Sequence, residues 1–132
     1  MKIVQLVARI IAAAIMLQTL YFKFTAHPES VYIFSTLGIE PFGRIGSGIA
    51  ELIASILLLI PTTAWMGAIM GLGVMAGAIV SHLTVLGIDV RNDGGQLFYM
   101  ALITFGCCLV VVIYERAKII IITKHLLNKR TN

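Results

Sequence analysis

Four long apolar runs, separated by short polar stretches, account for most of this chain: Ile3 to Phe22, Pro41 to Pro61, Trp65 to about Ile88, and Gln96 to Tyr114. Each approaches the roughly 20 residues that an α-helix needs to cross a hydrocarbon core of about 30 Å, at about 1.5 Å per residue. The pattern predicts an all-α, antiparallel four-helix transmembrane bundle with spans over 3–22, 42–61, 65–88 and 96–114, followed by a basic tail over 115–132. Between the first two spans, KFTAHPESVYIFSTLGIE reads as a short interfacial helix, since Pro28 suits a first-turn position and Gly38 a C-terminal stop. Tyr21, Phe22, Phe24, Tyr32 and Phe34 gather there, as aromatics do at a membrane surface. Pro61-Thr62-Thr63-Ala64 leaves room only for a tight turn, which makes spans two and three a hairpin with Trp65 at the interface.

The second run carries one carboxylate, Glu51, near its middle. An ionised carboxylate at that depth costs on the order of 3 kcal/mol even on the gentlest insertion scale, so it is expected to face the bundle interior and to be paired. Positions three or four apart share a helix face, which groups Arg44, Ser47, Gly48, Glu51, Ser55 and Thr62 into one polar or small stripe. Ile49, Leu52, Ile53, Ile56 and Leu59 are left for lipid and packing. In the first run Arg9, Met16 and Lys23 recur at sevenfold spacing and form the natural mate for that stripe. Arg9 lies about 10 Å in from one side and Glu51 descends from the other at about 1.5 Å per residue, which predicts an Arg9–Glu51 ion pair. Lys23, Arg44 and His82 are expected above it. The pair has either a register-fixing role or a ligand or proton-relay role. The candidate ligand-binding or buried polar cluster is therefore Arg9, Lys23, Arg44, Glu51 and His82.

Composition narrows the function classes. Hydrophobic residues make up 59% of the chain and charged residues 12%, far from a soluble domain of this size. With 132 residues there is one integral-membrane domain and no separate soluble module, so a soluble catalytic partner would be another chain. The net charge of +4 comes largely from residues flanking apolar runs, where they set topology or touch anionic lipid, and nucleic-acid binding is discarded. Arg116, Lys118, Lys124, Lys129 and Arg130 place the tail, and with it Lys2, on the cytoplasmic side. The first run competes with a cleaved signal peptide, but it is long for a signal core and holds an arginine. Cys107 and Cys108 are adjacent and read as packing residues, and no cysteine or histidine cluster encodes a thioredoxin-like centre or a zinc site. His82 reads as a hydrogen-bonded bundle histidine rather than a haem or metal ligand, because His27 sits in the outer loop and His125 at the opposite side. No catalytic residue is assigned. Gly67 with Gly71, and Gly73 with Gly77, form small-residue pairs suited to packing within the chain or to a homo-oligomer face.

Several features together resemble the DoxX family of small four-helix membrane proteins. They are an early arginine in span one, the lysine of YFKF, the segment HPESVYIFSTLGIEP, the glutamate of GIAELIASILLLIP and the histidine of VSHL, spread from Val7 to about Val112. Members of that family are associated with bacterial membrane redox systems, including a quinone-reducing thiosulfate oxidoreductase and oxidative-stress complexes. The resemblance implies a redox-linked subunit of the bacterial cytoplasmic (inner) membrane. A likeness to the vitamin K epoxide reductase bundle is limited to helix count, since the cysteine pairs of that chemistry are absent. Two functional readings follow. One is an accessory subunit whose outer-leaflet cavity, lined by Lys23, Glu51 and His82, binds a quinone or other small ligand, with electrons coming from a soluble or membrane redox partner. The other is a binding or transport module for a small solute or proton without redox chemistry, weakened by the lack of an internal inverted repeat.

Overall fold

The computed structural model describes residues 2–131, so Met1 and the last residue of the predicted tail, Asn132, lie outside the described residues. The described chain is all-α, and four of its helical stretches are long and apolar enough to cross a membrane. Helix α1 spans Lys2–Phe24, α3 Phe42–Leu59, α4 Ala64–Ser81 and α5 Gln96–Tyr114. A short helix α2, Pro28–Thr36, lies between α1 and α3, and α6, Arg116–Thr131, is helical where the sequence predicts only a tail.

Local chemistry sets the ends. Pro28 occupies the first turn of α2, and the His27 side chain accepts from Glu29 N. The helix stops because Gly38 takes a left-handed φ of +77°, which lets Gly38 N donate to Ser35 O and Ile39 N to Phe34 O. Helix α3 ends at Leu59, two residues before the predicted limit, because Pro61 forces Ile60 into an extended conformation at φ −94°, ψ 120°. At the far end of the third span the helix widens into a single π turn, His82–Leu86, which Gly87 terminates at φ +78°.

The four spans form a ring in which α1 packs on α3, α3 on α4, α4 on α5, and α5 back on α1. Successive spans run antiparallel, and Gln5 of α1 donates to Glu115 beyond α5, so the start of α1 and the end of α5 lie at one end of the bundle. That is the terminal end; α2 and the α4–α5 loop make the distal end. In the terminal half the interior is solid, with Ala12, Ala54, Leu58, Cys108 and Val111 all at or near zero exposure. Small residues let the backbones approach closely there. A methyl group on Gly67 would sit 2.7 Å from both Ala54 O and Leu58 N, and one on Gly71 would sit 2.6 Å from Cys108 Sγ. Outward, Ile49, Ile53, Ile56 and Leu59 of α3 are exposed, a lipid-facing stripe as the spacing predicts.

Two buried arginines join α1 to α3 in a reciprocal way. Arg9 Nε of α1 donates to Leu58 O near the C-terminus of α3, and Arg44 of α3 donates through a terminal nitrogen to Lys23 O near the C-terminus of α1. The last carbonyls of a helix have no intrahelical donor and carry the negative end of its dipole, so a guanidinium there both satisfies an orphan acceptor and is itself stabilised. Arg44 Nε also binds Glu40 Oε1 at 2.8 Å.

Candidate functional site

The distal half of the bundle is hollow. A cavity of about 390 Å³ lies beneath α2, within the range of about 300–1,000 Å³ that small-molecule sites occupy. Its floor is Met16 and Met75, both buried, and its roof is Phe34 and Leu37 at the end of α2. Most of the wall is apolar. Polar residues come from α2, with Glu29 and Ser30, and from three spans: Thr19 and Lys23 of α1, Ser47 and Glu51 of α3, and Ser81 and His82 at the end of the third span.

Lys23 Nζ lies 2.7 Å from Glu51 Oε1, and Thr19 Oγ1 lies 3.0 Å from Oε2, so both carboxylate oxygens are engaged. Glu51 is 3% exposed and Lys23 15%, which keeps the pair out of bulk solvent while leaving the ammonium at the cavity wall. Lys23 Nζ also stands 5.7 Å from the centre of the Phe34 ring in the roof. An ammonium has three donors, and one of them serves Glu51. Across the cavity His82 is 6% exposed, with its ring edge-on to Phe98 at 5.6 Å. Its Nδ1 lies 3.0 Å from Gly87 O. Because a carbonyl only accepts, Nδ1 carries the proton in that contact, and Nε2 of the neutral ring is an acceptor without a partner among the described residues. The cavity thus offers a donor from Lys23 and an acceptor from His82, in apolar walls.

The predicted cluster therefore divides. Lys23, Glu51 and His82 line one cavity, whereas Arg9 and Arg44 are absent from its wall and serve the α1–α3 contact. The predicted Arg9–Glu51 ion pair is not formed, and Lys23 takes Arg9's place. Helix geometry explains the exchange. Every side chain leans toward the N-terminus of its own helix. On antiparallel helices, Lys23 at the end of α1 leans down into the bundle while Glu51 of α3 leans up to meet it; Arg9 and Glu51 lean apart. Thr19, one turn before Lys23, was legible by the same rule and is the residue that sequence reasoning left out. The π turn that sets His82 against Gly87 has no comparable signal in composition, although Gly87 itself marks where a left-handed residue can stop a helix.

The DoxX family model matches residues 4–87. The chain belongs to the DoxX family. In this DoxX protein the matched stretch runs from the first turn of α1 to Gly87, so it contains Lys23, Glu51, His82 and the carbonyl that holds the histidine ring, and it leaves out α5 and α6. No curated protein and no solved structure matches the chain.

The distal loop of the DoxX chain that follows the matched stretch is tied by one carboxylate. Asp93 Oδ1 accepts from Val90 N at 3.0 Å and Gly95 N at 2.8 Å, and its Oδ2 accepts from Leu97 N at 3.3 Å. Burial acts to raise its pKa, but the three N–H donors together, with a smaller electrostatic contribution from His82, hold it below the ordinary 3.8. A depressed carboxylate pKa contributes stability that is present above the unfolded value and lost as pH falls through the folded one. The Gly95 amide proton resonance should therefore titrate with a midpoint below 3.8. A midpoint above that value would mean that the loop is not held by Asp93.

Proposed function

We propose that this DoxX protein is an accessory, ligand-binding subunit of a membrane redox system, and that its distal cavity receives the headgroup of a quinone or quinol. The observation that carries the reading is the convergence of Lys23, Glu51 and His82 from three spans on one apolar-walled cavity. A quinone headgroup needs a donor for a carbonyl oxygen and an apolar slot for its ring. The reduced form needs in addition an acceptor for its hydroxyl hydrogen. The Lys23 ammonium supplies the donor, and Nε2 of His82, left bare by the Nδ1 contact to Gly87 O, supplies the acceptor. The buried Lys23–Glu51 pair keeps the ammonium in place and neutralises its charge. Electrons reach or leave the headgroup through a separate redox protein.

A solute or proton pathway would need to continue through the terminal half, which Ala12, Ala54, Leu58, Cys108 and Val111 fill. The closed floor favours a binding site over a conduit.

Binding of a short-tailed benzoquinone and its quinol to the purified protein in detergent tests the reading, with fluorescence or calorimetry as the readout. His82→Phe preserves the ring packing on Phe98 but removes the acceptor. It should weaken quinol binding about tenfold, the effect of roughly 1.4 kcal/mol from one lost hydrogen bond, and leave quinone binding within about twofold. Equal loss for both forms would refute the role given to His82. Failure of the unaltered protein to bind either form would refute the quinone site.

A further inference from the structure

The wall of the cavity is not equally closed on all sides. Its α1 and α5 residues are buried, as Met16 and Ala101 are, or half-buried, whereas Ile39, Gly73 and Gly77, on the side where α3 and α4 face each other, are exposed. The reason lies in how α3 is held. In its terminal half α3 is pressed on α4, where a methyl on Gly67 would strike the backbone of Ala54 and Leu58. In its distal half it is drawn to α1 by Arg44 on Lys23 O, by Glu51 on Lys23 and Thr19, and by Gly48, whose added Cβ would lie 2.9 Å from the Phe24 ring. The α3–α4 seam therefore opens toward the distal end.

The facing flanks of that seam are small except at Val74. On α3, Ser47 lies seven residues before Ala54, hence on the same flank, and Gly43 one turn further. On α4, Val74 lies seven residues after Gly67, and Gly77 and Ser81 continue the same line. In the terminal half such a pattern gives contact. In the distal half a Cβ at Gly73 or Gly77 would meet nothing within 4 Å. On α4 the opening is flanked by apolar, lipid-facing side chains, Ile69 and Val80, both exposed.

We propose that the gap between the distal halves of α3 and α4 is a lateral portal, through which a membrane-resident ligand slides its headgroup into the cavity while its hydrocarbon tail stays in the bilayer. This rests on the quinone reading of the cavity and narrows it: the ligand is an amphiphile with a long tail, taken up from the lipid rather than from water. The glycines keep the portal open by having no side chain to fill it.

Gly77→Leu tests this, because the new side chain enters open space and leucine favours a helix more than glycine does, so the fold is retained. Gly106→Leu, the same change at an open position of α5 outside the cavity wall, is the control. Both variants and the unaltered protein are compared for binding of a long-tailed benzoquinone in lipid nanodiscs and of its tail-less parent, with thermal unfolding to confirm folding. Gly77→Leu should slow association of the long-tailed quinone at least about tenfold while Gly106→Leu leaves it unchanged. Binding of the tail-less parent should be unchanged in Gly106→Leu and should be weakened by Gly77→Leu far less than association of the long-tailed quinone is slowed. Unchanged association of the long-tailed quinone in Gly77→Leu overturns the portal and leaves the cavity reading intact. Loss of both ligands in Gly77→Leu also overturns it, since the residue then acts on the site rather than on the path. Absence of binding to the unaltered protein overturns the cavity reading itself and the portal with it.

Discussion

Lys23→Met should destabilise the bundle by about 3–5 kcal/mol, the loss expected when one partner of a buried ion pair is removed and the other charge is stranded. Glu51 is 3% exposed, and without Lys23 its remaining side-chain donor is the single hydroxyl of Thr19. That hydroxyl is also within 2.8 Å of Met16 O and has only one proton to give. Replacing both partners, Lys23→Met with Glu51→Leu, removes the stranded charge and should recover most of the loss, because a buried pair and an apolar pair of similar volume are often close in stability. Chemical unfolding in detergent, followed by helical circular dichroism, measures both. The same cycle on Arg9→Met and Glu51→Leu should be additive within about 0.5 kcal/mol, since Arg9 is bound to Leu58 O and not to the carboxylate. A coupling between Arg9 and Glu51 as large as that between Lys23 and Glu51 would contradict the arrangement of side chains around the cavity.

The contrast between those two cycles marks how far the sequence could be read. The four spans follow from hydropathy and length alone, because in lipid a backbone must satisfy its own hydrogen bonds and long apolar stretches have no other stable form. The fourth is found at Gln96–Tyr114, as predicted. The inward face of α3 was legible too: Arg44, Gly48, Glu51 and Ser55 are buried on the stripe that helical spacing defines. Pairing was harder. A stripe says which residues share a face but not their height against a neighbouring helix, and an error of one turn, about 5.4 Å, is enough to exchange partners. Arg9 and Lys23 were on the right line of α1 and competed for one carboxylate. Helix polarity decides between them, through the lean of each side chain toward its own N-terminus. The hollow beneath α2 is less legible still. It depends on α3 being held to α1 at both ends and pressed on α4 at one, a balance of several contacts that no single residue announces. The two glycine pairs show the same limit, since identical spacing gives Gly67 and Gly71 tight contact and leaves Gly73 and Gly77 facing open space.

Gly67→Ala should destabilise the bundle by about 1–3 kcal/mol even though alanine favours a helix by close to 1 kcal/mol over glycine. The two effects oppose each other, and the neighbour decides which wins. The added methyl would lie 2.7 Å from Ala54 O, 2.7 Å from Leu58 N and 3.0 Å from Leu57 Cβ. The first two are backbone atoms of a helix, which cannot rotate away as a side-chain tip can, so α3 and α4 must separate. Separation costs dispersion contacts in the layer of Ala54, Leu58, Ala64 and Ala68, all at 0% exposure, where no lipid can follow. It also pulls Leu58 O from the Arg9 guanidinium of α1, because the Leu58 N that the methyl strikes and the Leu58 O that Arg9 holds belong to one residue of α3. Gly71→Ala comes too close only to the sulfur of Cys108, at 2.6 Å, with Met16 Cε at an ordinary 3.7 Å, and a thiol can yield by a small rotation, so the loss there should be smaller. At Gly106 nothing lies within 4 Å, and alanine should be neutral or stabilising by up to about 1 kcal/mol through propensity alone. Unfolding midpoints of the three variants should therefore rise in the order Gly67→Ala, Gly71→Ala, Gly106→Ala. If Gly67→Ala proved as stable as Gly106→Ala, α3 and α4 would not be in backbone contact at the terminal half, and the seam that opens from that contact toward the distal cavity would have no pivot.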